Sequence, residues 1–452
     1  MDWIAAIGDG RRGIVTKLRI LCLFLAIAGL AAWARAQSPG ADRTRPVLSI
    51  ILTRHGVRSP LVDLNQTMGQ YAAEPWPDWE VGPGQLTPHG KEQMRLMGAY
   101  YHSLYVDQGL LSGRAAEDTG RITFRTDSDD RTIETAQDLA ATLIPGQVPN
   151  IRARPRGEHD PLFQPVRAGL GHPDAALASS ALLGRIGGDP RTVIAACGSA
   201  FDSLDRVLLG PGAKPHAGKI AVRDVPERLA GDPASLAVAG FTGPLRIAAR
   251  CADTFVLEYA DGMPASRVGW GRADRKTLME LMRVHSLYFD LTQASFYPAQ
   301  VQGSNLAKHI GQTLDQAASG RPVDGAIGPV GERMVVVVGH DTNLANLAGL
   351  LGISWWLDGT QPDPVLPGGA LVFELRQGAS GGSFLVRAYY VCQSLDQMRS
   401  GEPLTPGNPP AVAPIFIPQC SGPYPGYDAP LELFDALLRR VVDPDFVVPG
   451  SS

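Results

Sequence analysis

Met334-Val335-Val336-Val337-Val338-Gly339-His340-Asp341-Thr342-Asn343 sets five unbroken apolar residues before a glycine, a histidine and an acid. An apolar run without alternation is what a strand covered on both faces of a parallel sheet needs, so the segment predicts a central strand of an α/β fold. Gly339 permits a tight turn at its end. Asn343 to Leu351 then predicts a helix, with Asp341 or Thr342 as its cap. Near the other end of the chain, Val47 to Leu52 is a second such run, and it feeds Arg54-His55-Gly56-Val57-Arg58-Ser59-Pro60. Ligands of open α/β sheets collect in the crevice beyond the carboxyl ends of the strands. Two arginines and two histidines delivered to that edge suit a phosphate.

A third strand-to-helix unit lies between them. Arg121 to Thr126 alternates as a strand, Asp127-Ser128-Asp129-Asp130 offers capping residues, and Arg131 to Leu143 predicts a helix ended by Pro145-Gly146. Arg131 sits in the first turn, where a cation opposes the helix dipole. It is either a surface arginine paired with Asp127 or Asp130, or one of the groups that face an anion together with the helix N-terminus. Thr87-Pro88 starts another helix, on which Met94, Met97, Tyr101 and Leu104 share a face. His89 and His102 on that helix are read as structural. Residues 150 to about 325 change character, with helical stretches at Val193 to Leu209, Leu245 to Ala260, Lys276 to Gln293 and Leu306 to Ala318, and no strongly buried strand. The expected organisation is a discontinuous α/β domain, 43–150 with 326–452, carrying a mainly α-helical insert at 151–325 over a cleft. Ala370 to Leu375 and Phe384 to Cys392 read as further strands, and Leu431 to Val442 as a terminal helix.

A net charge of −4 with no long Lys/Arg run argues against nucleic acid as a partner. Residues 1–36 have the form of a secretory signal: Arg11, Arg12, Lys17 and Arg19, then the apolar run Ile20 to Trp33, then Ala34-Arg35-Ala36. That run is short for a membrane span, so no lasting anchor is expected, and the mature chain should begin at Gln37 in the periplasm or outside the cell. Removing 1–36 takes away five Lys/Arg and two Asp and moves the charge from −4 to −7. Cys197, Cys251, Cys392 and Cys420 remain; they allow two disulfides, Cys197 with Cys251 and Cys392 with Cys420 being the local choice, or four buried thiols. No CxxC or His-rich spacing suggests a metal site, and no cofactor is expected. Oligomeric state is not legible.

The three junctions bring together Arg54, His55, Arg58, Asp127, Arg131, His340 and Asp341 if their strands are parallel neighbours. Histidine among arginines has a lowered pKa, because nearby positive charge disfavours imidazolium. It stays neutral and nucleophilic and is able to accept a phosphoryl group. An acid beside it can protonate the departing alkoxide and later activate water. Catalysis would then rest on positioning and charge, without a metal.

RHGxRxP after an N-terminal strand, with His340-Asp341 after a late one, resembles the histidine acid phosphatase family, the branch of histidine phosphatases that contains bacterial phytases and periplasmic glucose-1-phosphatases. The likeness extends to Leu86-Thr87-Pro88-His89-Gly90, Asp130-Arg131-Thr132, Asp160-Pro161-Leu162-Phe163, Gly269-Trp270-Gly271-Arg272 and Pro367-Gly368-Gly369. It implies a phosphoglycerate mutase-like α/β fold with a helical domain over the cleft, and hydrolysis of a small phosphomonoester. It also implies His55 as phosphorylated nucleophile, Asp341 as proton donor, and Arg54, Arg58, Arg131 and His340 as phosphate ligands. Asp127, Arg272 and Asp253 are candidate substrate contacts. The family's usual cysteine set is mostly missing. Leu61-Val62 stands where phytases of this type carry a polar and then a basic residue, and Leu61 with Trp76-Pro77-Asp78-Trp79-Glu80 is more like the glucose-1-phosphatases. Gly339 to Leu347 and Arg272 are more like the phytases. A phosphoglycerate mutase-like enzyme fits less well, given the export signal and Asp341 directly after His340. A non-catalytic phosphate-binding protein of the same fold has no use for a nucleophile beside an acid. Mass spectrometry of the exported protein should find Gln37 as its first residue; a chain that keeps Met1 to Ala36 would contradict the signal reading.

Overall fold

The computed structural model describes residues 44–449 apart from 216–217, 233–237, 379–380 and 424–425, and the expected signal lies outside the described residues. The chain enters as β1 (Thr44–Arg54), whose last seven residues are buried. A loop leads to α1 (Pro88–Asp107), which Thr87 caps by accepting from the Gly90 N–H. Next come β2 (Ile122–Thr126), α2 (Asp130–Leu143) and the short β3 (Asn150–Arg152). Helices then predominate: α3 (Ala175–Arg185), α4 (Pro190–Ala196) and α5 (Gly198–Leu209), followed by a small hairpin of β4 (Leu229–Gly231) and β5 (Ala239–Phe241). The long α6 (Pro244–Ala260), α7 (Arg275–Thr292) and α8 (Phe296–Ser319) complete this part. The sheet resumes with β6 (Met334–Gly339), α9 (Asp341–Leu351), β7 (Ala370–Gly378), β8 (Phe384–Cys392), β9 (Ala411–Ile415) and β10 (Ala429–Pro430), and α10 (Leu431–Val441) closes the fold.

The main sheet runs β10-β8-β7-β1-β6-β2-β3, with β9 also on β8. β1, β6, β2 and β3 are parallel, while β7, β8 and β9 are antiparallel neighbours. The apolar run of β6 explains its central place. Val335 and Val337 enter the core that includes Leu48, Ile50 and Leu52, whereas Met334, Val336 and Val338 enter the opposite core with Ile51 and the buried faces of α1 and α2. Each such side chain, when fully buried, contributes roughly 1.5–3 kcal/mol. β6 has both faces in a core and carries no polar side chain until the sheet ends, at His340.

Several expectations shift. The predicted helix Val193 to Leu209 is two helices with Cys197 between them, its φ/ψ of −92°/16° falling outside the helical range. α8 begins at Phe296, ten residues before the expected Leu306, and the 150–325 region contains the β4–β5 hairpin with Ala239 and Phe241 buried. All four described cysteines are free thiols, so neither local disulfide forms. Burial in the apolar interior pushes the Cys251 and Cys392 thiols up to about 12, which leaves them inert as nucleophiles. His89 and His102 have structural partners, the Met398 carbonyl at 2.6 Å and the Leu143 carbonyl at 2.9 Å.

α1 and α2 cross closely where α1 carries Gly98. A Cβ there would lie 2.2 Å from the Leu139 carbonyl oxygen and 2.5 Å from Thr142 Oγ1. In an open helix Gly→Ala stabilises by up to about 1 kcal/mol. Gly98→Ala should instead destabilise the fold by about 1–3 kcal/mol through overpacking, seen as a lower Tm; a raised Tm would show that the two helices can part freely.

Candidate active site

Strand register assembles the site. In the β1–β6 pair Arg54 lies opposite Gly339, and in the β6–β2 pair Val338 lies opposite Thr126, so the three strands end level. The ladder continues one step beyond the strands: His55 N–H donates to the Gly339 carbonyl at 3.0 Å and Asp127 N–H to the Val338 carbonyl at 3.1 Å. Gly339 is required by close approach, since a Cβ would meet Asn343 Oδ1 at 2.6 Å and the Phe163 ring at 2.9 Å. The residue that caps α9 is His340 rather than Asp341 or Thr342: its N–H donates to Asn343 Oδ1 at 2.9 Å, and Asp341 is already the first helical residue.

His55 is buried, and its Nδ1 lies 2.8 Å from the Gly56 carbonyl. A carbonyl only accepts, so Nδ1 carries the proton and the lone pair is on Nε2. Burial, and then the charges of Arg131, Arg58, Arg54 and His340, hold the imidazole well below its ordinary pKa. It is neutral throughout the physiological range. The Gly56 N–H donates to Thr135 Oγ1 at 3.0 Å, which ties the loop to α2.

Three guanidiniums surround this ring, each held from one side. Arg54 Nη1 donates to the Val365 carbonyl at 2.7 Å, and its Nη2 meets Asp253 at 3.0 Å and Asp341 at 3.2 Å. Arg58 Nη1 donates to the Ser59 carbonyl at 3.1 Å, and its Nη2 lies 3.6 Å from Asp253. Burial lowers the Arg58 guanidinium to about 10, so it remains a cation at any working pH. Arg131 Nη2 donates to Asp129 at 2.7 Å. Among the described residues the Nε atoms of Arg54, Arg58 and Arg131 are buried without a hydrogen-bond partner. Buried donors are ordinarily satisfied, so three orphans on three converging arginines mark a place shaped for an anion.

His340 is the counterpart of His55. Its ring stands edge-on to that of His55, centroids 5.6 Å apart, and its Nε2 lies 2.9 Å from Asp127 and 3.3 Å from Asp129. Burial pulls its pKa down, but hydrogen bonds to the two carboxylates more than offset this and leave it raised, despite Arg131. Asp127 is correspondingly lowered despite its burial, with His340 and Gln164 as partners. The pair therefore contributes stability above the ordinary Asp range, and this is lost as pH falls through the lowered Asp127 value. It is likewise lost as pH rises through the raised His340 value, being fully present below the ordinary value of about 6.5.

Of the expected residues, Arg54, His55, Arg58, Arg131, His340 and Asp341 converge. Arg131 is paired with Asp129, not with Asp127 or Asp130; Asp130 is taken by Arg156. Asp127 has no exposed surface and bonds to His340 and Gln164, so it orients the histidine and does not line the open cleft as a substrate contact would. Asp253 touches Arg54 and Arg58, whose charges hold it at about 2 against the opposing effect of burial. Arg272 bonds to Glu74 at 2.7 Å and to the Val207 carbonyl at 2.8 Å, and lies over the Trp270 ring, with no contact to the arginine cluster. The sequence offers Asp129 only as a capping residue. It has extended φ/ψ, as strands do, and such backbone points residues i and i+2 the same way; Asp127-Ser128-Asp129 is that signal. Among the described residues Asp127, Asp129 and His340 are the one group close enough together to hold a metal ion. Their ligand atoms are bonded to each other, and the Arg131 guanidinium lies 3.4 Å from His340 Nδ1, which opposes a cation there.

Comparison with known proteins agrees with this geometry. Residues 49–191 match the family described as the histidine phosphatase superfamily (branch 2). Phytase AppA of Escherichia coli (strain K12) is 32% identical over 382 residues, covering 82% of this chain and 86% of its own. The chain belongs to the histidine phosphatase superfamily. A glucose-1-phosphatase of Providencia rettgeri is 28% identical over 91% of this chain and 96% of its own. The structure of Hafnia alvei phytase in complex with myo-inositol hexakis sulphate superposes with a TM-score of 0.81 at 30% identity, covering 91% of this chain and all of that one. The resemblance read from RHGxRxP and His340-Asp341 is thereby established at the level of family and fold.

The two carboxylates on His340 raise its pKa. Asp127→Asn should lower the His340 pKa and move the alkaline limb of the kcat/KM profile to lower pH, with the acid limb in place. An alkaline limb unmoved by the substitution would show that His340 is not the group titrating there.

Proposed function

We propose that the protein hydrolyses phosphomonoesters through a phosphohistidine on His55. The observation that carries this reading is the neutral His55, with its Nδ1 proton on the Gly56 carbonyl and its Nε2 lone pair among three arginines whose Nε donors have no partner. Arg54, Arg58, Arg131 and the His340 imidazolium hold the phosphoryl oxygens. Nε2 of His55 attacks phosphorus opposite the ester oxygen; the P–N bond forms as the P–O bond breaks, and Asp341 gives its proton to the leaving alkoxide. Water then attacks the phosphohistidine, Asp341 takes a proton back, and inorganic phosphate leaves with the ring restored. In this reading Asp127 and Asp129 position His340, and Asp253 positions Arg54 and Arg58.

Phosphoryl transfer of this kind needs positioning and charge more than covalent help, which the four cations supply. A binder alone would do without Asp341 placed at the start of α9 beside Arg54. The relatives named as phytase and glucose-1-phosphatase support the monoesterase class, and between those two substrates neither has the better support. We read residues 151–325 as the helical insert over the sheet domain of 43–150 and 326–452, and the leader 1–36 as an export signal. Among the described residues no helix is long and apolar enough to cross a membrane.

Hydrolysis of p-nitrophenyl phosphate near pH 5 tests the reading. His55→Ala should remove turnover by about 10⁴-fold or more, since phosphoryl transfer has no other nucleophile. Asp341→Asn should lose most against alkyl phosphates, about 10²–10⁴-fold, and much less against aryl phosphates, whose leaving groups need little protonation. Equal losses on both ester classes would remove Asp341 from the role of acid.

A further inference from the structure

Away from the arginine cluster, α7, α9 and the segment 353–365 enclose a groove of about 1000 Å³. No group of the phosphate site lines it; its walls include Leu287 and Phe289 of α7, Ala345 and Ala348 of α9, and Trp355 and Trp356 beyond them. Small-molecule sites reach this size and are lined mostly by apolar and aromatic side chains with a few placed polar groups. Backbone fixes the walls. A Cβ on Gly349 would lie 2.3 Å from the Ala294 carbonyl oxygen, so α9 already rests on the chain just past α7 and the two cannot close further over the space. On the opposite wall Asp363 has a φ of 51°, a left-handed conformation that costs energy in a residue other than glycine. Its Oδ1 accepts from Ser354 Oγ at 2.8 Å and from Trp355 N–H at 2.7 Å, and its own N–H donates to the Trp355 carbonyl at 3.0 Å. This clamp fixes a turn that leaves Trp356 65% exposed, with the indole N–H tied to the Thr360 carbonyl at 3.1 Å.

The polar groups of the walls select the ligand. Both acids are engaged, Asp363 as above and Asp290 with Arg185 at 2.6 Å. Gln361 Nε2 donates to the Met279 carbonyl at 2.8 Å. Cys197, near enough to Arg283 to feel its charge, is a neutral thiol because burial raises it. Arg283 itself is exposed and has no ion pair or hydrogen bond among the described residues. A cation without an acid and an uncovered indole in one groove are complementary to a molecule that carries both a ring and a negative charge. Three contacts lead from the groove to the phosphate site. The carbonyl of Val365, in the wall, accepts from Arg54 Nη1 at 2.7 Å. Phe289 stacks on His285 with centroids 4.5 Å apart, and His285 is buried within the field of Asp253, Arg54 and Asp341. α9 itself begins at Asp341.

Resting on the phosphomonoesterase reading for its effect on turnover, we propose that this groove binds a small aromatic anion, ring against Trp356 and charge on Arg283, and that the bound molecule acts on the phosphate site through Val365 and Arg54. An occupant that presses on 353–365 moves the carbonyl that holds Arg54 Nη1. Arg54 has little slack to absorb this, because its Nη2 is shared between Asp253 and Asp341. A displaced guanidinium lowers the rate of a step that depends on positioning, so the effect falls on kcat. The coupling is reciprocal: an anion at the phosphate site changes affinity in the groove by the same factor.

The probe is 8-anilinonaphthalene-1-sulfonate, an aromatic anion whose fluorescence rises when it leaves water. Titration of the wild type should show a single saturable site. Inorganic phosphate should shift its Kd by a limited factor that levels off, as linkage between separate sites requires. A Kd that climbs in proportion to phosphate would place the probe in the catalytic cleft and overturn the groove. Ser286→Trp, which fills the groove, should weaken binding by about tenfold or more, Arg283→Gln by about tenfold, and Arg283→Lys by much less, since it keeps the charge. Without the probe, each variant should turn over p-nitrophenyl phosphate within about twofold of wild type, which also reports an intact fold. The probe should lower kcat of the wild type by about twofold or more and leave Ser286→Trp unaffected. Binding unchanged in Ser286→Trp and Arg283→Gln would overturn the site, and binding with no change in kcat would overturn its action on Arg54. Wild type inactive on the ester would overturn the phosphomonoesterase reading, while the fluorescence titration would still decide whether the groove binds.

Discussion

Three buried guanidiniums around one neutral imidazole are the constraint on which this structure depends. Two unit charges 4 Å apart repel by about 4 kcal/mol at an effective dielectric of 20, so Arg54, Arg58 and Arg131 would not gather unless something held them. The backbone does part of this, because β1, β6 and α2 are fixed by ladders of hydrogen bonds that side-chain repulsion does not break. Carboxylates do the rest. Asp253 spans Arg54 and Arg58, Asp341 reaches Arg54, and Asp129 takes Arg131. Each acid engages terminal nitrogens and leaves Nε free. The arginines are thereby held in place while their Nε donors stay unpaired.

Two histidines 5.6 Å apart are driven in opposite directions. Both rings are near Arg131, and His55 feels Arg58 and Arg54 as well. The partner of the other ring nitrogen completes the difference. His55 faces a backbone carbonyl, which fixes a tautomer but carries no charge, and burial with the arginines then keeps it neutral. His340 faces Asp127 and Asp129, and hydrogen bonds to them outweigh burial and raise its pKa. In the proposed phosphohistidine reading, the first is fit to attack and the second to bind. Pairs of titratable groups driven apart by their surroundings are how a single site divides chemical roles.

Much of this is legible in the chain because the signals are local. An apolar run ending in Gly-His-Asp, or a strand-like segment ending in Arg-His-Gly, names both an element and what it delivers to the sheet edge. The helices α1, α2, α6 and α7 are legible from their spacing. What cannot be read depends on pairings between distant residues. Asp253 and Arg54 are 199 positions apart, and no pattern around Ala252-Asp253-Thr254 announces that its carboxylate bridges two arginines. The break at Cys197 falls inside an apolar periodicity that continues across it. The first turns of α8 contain Pro298 and Gly303, which weaken a helical reading that tertiary packing overrides. The disulfides fail for a related reason: an even number of cysteines is a statement about composition, and pairing requires their Cα atoms within about 7 Å.

A division of labour between sheet and helix follows from these facts. The geometry of the sheet edge is over-determined: moving Arg54 or His340 disturbs strands buried on both faces. α6 is different. It contributes one residue to the cluster, Asp253, and then leads away from it along a stripe whose next members have no internal partners among the described residues. Changing Arg250 or Arg246 breaks no sheet ladder and no hydrogen bond of the cluster, so those positions can vary while the chemistry at His55 stays fixed. Leu61 and Val62 are free in the same sense, being exposed just beyond Pro60. The fold is therefore most constrained where the inner turn of α6 holds Arg54 and Arg58 through Asp253, and least constrained along the outward turns of the same helix.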